Sequence, residues 1–103
     1  MTAMSRYDQM IDAAVQAVSE GKKTLVVCAT KVRACGVRRA IEKRLAMPNV
    51  RDFLTVQSVD AQRDGMQPKA IIRDGMDVCV TPEDRERLQR DVQHMTAFGA
   101  VEV

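Results

Sequence analysis

The tightest limit on how this chain can fold is set by Thr24-Leu-Val-Val-Cys-Ala29, a short run without a charge. Continuous, apolar and β-branched, such a run suits a strand covered on both faces, as in a parallel sheet flanked by helices. The next two segments agree with that assignment. From Arg33 to Met47, the residues Ala34, Val37, Ile41 and Leu45 share one face of a helix that Pro48-Asn49 ends. Phe53-Leu-Thr-Val-Gln-Ser-Val59 then reads as a second strand. A strand, a helix of about a dozen residues or more and another strand make a βαβ unit, whose crossover is right-handed in nearly all cases.

The flanking segments extend this unit. Tyr7, Met10, Ile11, Ala14, Val15 and Val18 form the apolar stripe of a preceding helix, with Ser5 placed to cap its start and Gly21 its end. Residues 60–68 are polar and read as a loop. Lys69 to Arg73 and Met76 to Val80 are two short strand-like runs separated by Asp74-Gly75, a dipeptide that favours a tight hairpin. A parallel strand followed by a loop is the competing reading of residues 69–80. Thr81-Pro82-Glu83-Asp84 carries the signals of a helix start, with a capping hydroxyl, a first-turn proline and two acids at the positive end of the dipole. Leu88, Val92 and Met95 would form that helix's buried stripe, and Glu83/Arg87 and Glu86/Arg90 have the spacing of surface ion pairs. Gly99 stops it, and residues 100–103 alternate like a closing strand. The expected fold is one α/β domain over residues 1–103, in the order αβαβ(ββ)αβ, with a small, mostly parallel sheet and helices on its faces.

Composition narrows the chemistry by exclusion. Hydrophobic residues make up 46% of the chain and charged ones 29%, which suits a packed domain rather than a disordered one. Tyr7, Phe53 and Phe98 are the only rings apart from one histidine, too few for a platform on which bases stack. No run approaches the roughly 20 apolar residues of a membrane span, and the first residues lack the pattern of a secretory leader. Cys28, Cys35 and Cys79 show no metal-binding or disulfide-scaffold spacing, so a reducing, cytoplasmic setting is expected. His94, the single histidine, sits on a charged helical stretch with no partner at ligand spacing. Gly21-Lys22-Lys23-Thr24 has the ending of a phosphate loop. However, Gln16 stands where that loop needs its first glycine, and the segment leaves a helix for a strand instead of the reverse. No metal, cofactor or complete catalytic set is expected, and the chain does not read as an enzyme.

Three stretches carry a resemblance: Arg6-Tyr-Asp-Gln-Met-Ile11, Gly21-Lys-Lys-Thr-Leu-Val-Val-Cys28 and Ala70-Ile-Ile-Arg-Asp74. Over about residues 5–98 the order of elements resembles the RecA-like P-loop NTPase core, in the small forms associated with bacteriophages. The first strand and the phosphate loop of that family have no counterpart here. Arg73-Asp74 stands where the family carries two acids for its magnesium-bound water. The resemblance therefore implies a degenerate or truncated relative that does not hydrolyse ATP. It implies either an accessory or host-defence-inhibiting protein of the anti-CRISPR kind, or a nucleotide- or nucleic-acid-associated domain completed by a partner subunit.

Charge is distributed unevenly. Lys31, Arg33, Arg38, Arg39, Lys43 and Arg44 lie in or beside the second helix with only Glu42 to oppose them, although the net charge of the chain is just +2. Arg39 and Lys43 should point outward, with Arg33, Arg38 and Arg44 flanking the core face. These six residues are the candidate partner-binding set. An acidic protein surface is the expected partner and nucleic acid the alternative, with no membrane involved. A face that merely keeps the protein dissolved has the same composition. Cys35 lies on the outer side of this helix with Lys31, Arg38 and Arg39 one turn away, and it is a candidate reactive thiol, since cations favour the thiolate. Cys28 and Cys79 fall in apolar runs and read as small core residues.

Overall fold

A computed structural model describes residues 5–46, 48–63, 65–75 and 80–103. The elements are α1 (Arg6–Ser19), β1 (Thr24–Cys28), α2 (Lys31–Leu45), a single 3₁₀ turn (Val50–Asp52), β2 (Leu54–Ser58), β3 (Ala70–Asp74), α3 (Pro82–Ala97) and β4 (Val101–Glu102). The four strands form one sheet in the order β2-β1-β3-β4, and every neighbouring pair is parallel. Among the described residues no helix is long and apolar enough to cross a membrane.

The charge-free β1 is central, and all five of its residues are buried. Because side chains alternate across a strand, Val26 and Cys28 face one layer while Leu25 and Val27 face the other. The first layer is built on α1 and α2, where Met10, Ile11, Ala14, Val18, Val37 and Ile41 pack with Val26, Val56 and Ile72. The second is built on α3, where Leu88, Val92 and Met95 pack with Leu25, Val27 and Ile71. Leu25, Ile41, Ile71 and Leu88 are among the side chains sealed from solvent. Each such burial is worth about 1.5–3 kcal/mol before the entropy of ordering is set against it. The edge strand β2 keeps the alternation of a sheet covered on one face, with Leu54, Val56 and Ser58 buried and Thr55 exposed.

The crossovers leave on opposite faces. β1 reaches β2 through α2 on one side, and β3 reaches β4 through α3 on the other. Between them, residues 59–69 carry the chain past β1, so the direction of strand addition reverses between β1 and β3. That reversal leaves a crevice at the carboxyl ends of these two strands.

Several local expectations need correction. α2 starts at Lys31 rather than Arg33, because the Thr30 hydroxyl accepts a hydrogen bond from the Arg33 N–H and caps the helix there. It ends at Leu45, with Ala46 in the left-handed region (φ 50°), while Met47 lies outside the described residues. The described residues at Asp74-Gly75 do not have the geometry of the expected tight turn. A two-residue hairpin turn needs positive φ at both positions, but only Gly75 has it (φ 68°), and Asp74 is still part of β3. β3 is parallel to strands on both its sides, and of the expected second limb, residues 76–79 lie outside the described residues. On α3, neither expected i,i+4 ion pair closes. Arg87 turns instead to Asp84 (3.4 Å) and to the Val59 carbonyl (3.2 Å), tying the helix to the end of β2.

Candidate functional site

The helix caps and the core face of α2 determine where its cations point. Ala34, Val37 and Ile41 are buried against the sheet, and this fixes the rotation of the helix. The six candidate residues then divide into two groups. Arg33 and Arg44 flank the core and are used internally: Arg33 pairs with Asp74 of β3, and Arg44 with Asp12 of α1. Lys31, Arg38, Arg39 and Lys43 make no ion pair among the described residues, and Glu42 between them pairs with Arg51 at 3.5 Å. Lys31, Cys35, Arg39 and Lys43 are all exposed and fall at successive i,i+4 positions, forming one ridge about 18 Å long. Val32 stands beside this ridge with 85% of its surface exposed. The candidate thiol Cys35 is exposed, and Nη2 of the half-buried Arg38 lies 3.9 Å from its sulfur. At the C-terminal end of α2, Lys43 and Arg44 also face the negative pole of the helix dipole.

A second arrangement occupies the carboxyl ends of β1 and β3. Here a cavity of about 1010 Å³ opens between the start of α1, Ala29-Thr30 and Asp74-Gly75. Met10 and Ile72 are buried beneath it, and Arg6, Tyr7 and Arg33 line its rim. Arg33 grips Asp74 with two hydrogen bonds, from Nε to Oδ2 and from Nη2 to Oδ1 (2.9 Å). Its guanidinium carbon lies 5.5 Å from the centre of the Tyr7 ring. On another side Gly75 leaves it room, since a Cβ there would stand 3.0 Å from Arg33 Nε and 3.3 Å from Cδ. The hydrogen bonds to Asp74 raise the pKa of Arg33 above its ordinary value, with burial opposing. The pair is unequally covered, with the Asp74 side chain 7% exposed and that of Arg33 43%.

Beneath this pair lies Cys28, fully buried at the end of β1. Desolvation first, and then the Asp74 carboxylate, push its thiol up to about 12. At neutral pH it is a protonated core residue and no nucleophile. At the end of β2 the Ser58 hydroxyl donates to Asp60 and lowers that carboxyl's pKa. On the α3 side, Arg63 of the β2–β3 loop is buried, with Nε on Asp91 (2.9 Å) and Nη1 on Gln57 (3.2 Å) and the Val59 carbonyl (3.1 Å). It anchors a loop whose described residues form no helix. His94 packs edge-on against Phe98, with centroids 5.0 Å apart. Among the described residues no cluster of three metal-ligating side chains occurs. Cys79 lies outside the described residues.

Sequence reasoning located the α2 cations but missed the Arg33–Asp74–Tyr7 assembly. The pair joins residues 41 positions apart, and Asp74 beside a glycine carries the local signal of a turn. The position of Arg33 at the border of the apolar face was the one available hint. Compared with family models, curated proteins and solved structures, the chain gives no significant match to any of the three.

Proposed function

We propose that this protein is a non-catalytic binding module that docks on an acidic surface of a partner protein through the outer face of α2. The observation that carries this reading is the division of the helix's cations. After Arg33 and Arg44 are taken up by internal pairs, Lys31, Arg38, Arg39 and Lys43 remain without a carboxylate at ion-pair distance, beside the exposed Val32. Lys31 feels the Asp60 carboxylate at the end of β2, whereas Arg38, Arg39 and Lys43 have no such partner among the described residues. A rigid helix presenting them in a row, with an apolar residue at one end, suits a complementary patch that supplies both charge and a desolvated contact. Inhibition by occlusion, the host-defence-antagonising role that the resemblance implies, needs nothing beyond such a face.

The test is the triple substitution Arg38→Glu, Arg39→Glu, Lys43→Glu. These changes leave intact the ion pairs that join α2 to β3 and α1, and the lost dipole complement with the new like-charge i,i+4 pairs should cost about 1–2 kcal/mol, which leaves the fold intact. Affinity capture with the unaltered chain, in the presence of nuclease, should recover a stoichiometric protein that the triple variant loses. Capture that survives the substitutions would remove this face from the account. Recovery that depends on nucleic acid, with steep salt dependence, would favour a phosphate-tracking role instead.

A further inference from the structure

The cleft at the carboxyl ends of β1 and β3 adjoins the α2 ridge at Val32, and it has the construction of a small-molecule site. We propose that it binds a small organic anion with an aromatic or apolar body, the anionic group on Arg33 and Arg6 and the body along Tyr7, Met10 and Ile72. Three observations support this. The topology is the first. Successive crossovers depart on opposite faces here, and open α/β sheets receive ligands at such a reversal. The second is size and lining. The cavity of about 1010 Å³ is at the upper end of ligand sites, and its walls are mainly apolar with a few polar groups at the rim.

The third is the state of Arg33. Two of its nitrogens are used on Asp74, and the fork is steadied by the Tyr7 ring and by the space that Gly75 leaves. Nη1 has no protein partner among the described residues. An arginine held in this way can accept an anion with little further loss of side-chain freedom, which is where much of the cost of binding arises. Asp74 does not repel the anion strongly, because it is buried and its charge is already matched. The neighbouring Arg6 forms no ion pair among the described residues and adds a second cation to the rim. Arg73, also at the rim, is neutralised by Glu102 at 2.8 Å.

The experiment is a titration of the ¹⁵N-labelled full chain with phenyl phosphate, and separately with benzoate, inorganic phosphate and phenol, followed by amide shifts. Phenyl phosphate or benzoate should produce saturable shifts centred on Tyr7, Ala29, Thr30 and Gly75. Phosphate and phenol, each carrying half of the recognition, should bind at least about tenfold more weakly. Arg33→Lys keeps a cation opposite Asp74 but loses the fork, and it should weaken binding by about tenfold. Arg6→Gln, on the exposed first turn of α1, should weaken it less while leaving the dispersion of the spectrum unchanged. Absence of saturable shifts with both ring-bearing anions at millimolar concentration would overturn the proposal. So would shifts centred on Arg39 and Lys43, or affinity unchanged in both variants.

Discussion

The Arg33–Asp74 pair makes an asymmetric prediction, because its two partners are so differently covered. Arg33→Met leaves a carboxylate that is 7% exposed without its cation, and water cannot readily replace the lost partner. Removing one member of a buried pair costs about 3–5 kcal/mol, and since Arg33 itself is 43% exposed the lower end applies, about 3 kcal/mol. For a domain of this size that lowers Tm by on the order of 10 to 20 °C. Asp74→Asn leaves the arginine instead, and its guanidinium can turn to solvent, so the loss should be about 1 kcal/mol. Combining the two substitutions removes the stranded charge. The double variant should therefore be more stable than Arg33→Met alone, with a coupling of about 1 kcal/mol or more. Urea titration followed by circular dichroism, with thermal melts alongside, measures all four proteins. Equal losses from the two single changes, or a larger loss from Asp74→Asn, would refute the argument from burial.

The same end of the sheet gives further outcomes. Iodoacetamide should label Cys35 in the native protein and Cys28 only on unfolding, as read by peptide mass mapping, because one thiol is exposed and the other sealed. Since the native thiol of Cys28 is raised to about 12 from an ordinary 9.0, the folded state keeps a proton that the unfolded chain releases; its contribution to stability is complete below pH 9.0 and is lost as pH rises towards 12. Gly75→Ala should cost about 1–2 kcal/mol in a denaturant titration, because it forces φ 68° on a residue with a Cβ and drives that Cβ to 3.0 Å from Arg33 Nε. A neutral result there would mean that the guanidinium is not held against the turn.

Much of the architecture was legible in the chain because its signals are local. The charge-free run of β1 announced a strand buried on both faces, the 3–4-residue spacing of Val37 and Ile41 set the inner face of α2, and Thr81-Pro82 marked the start of α3 where the structure begins it. The outward cations of α2 could be read for the same reason, since rotating a helix to bury its stripe decides where the rest must point. Tertiary structure decided what depends on elements distant in sequence: the strand order, the reversal between β1 and β3, and the cleft that this reversal opens. It also decided which arginines are free. Asp74-Gly75 favours a hairpin locally, but β3 gains more from lying parallel between β1 and β4, and Asp74 then becomes the buried partner of an arginine 41 residues earlier. A propensity acts over a few neighbouring residues, whereas an ion pair or a strand register is settled by which surfaces the packed layers bring together. For that reason the ridge on α2 could be found in the chain, and the clamp around Arg33 only in the fold.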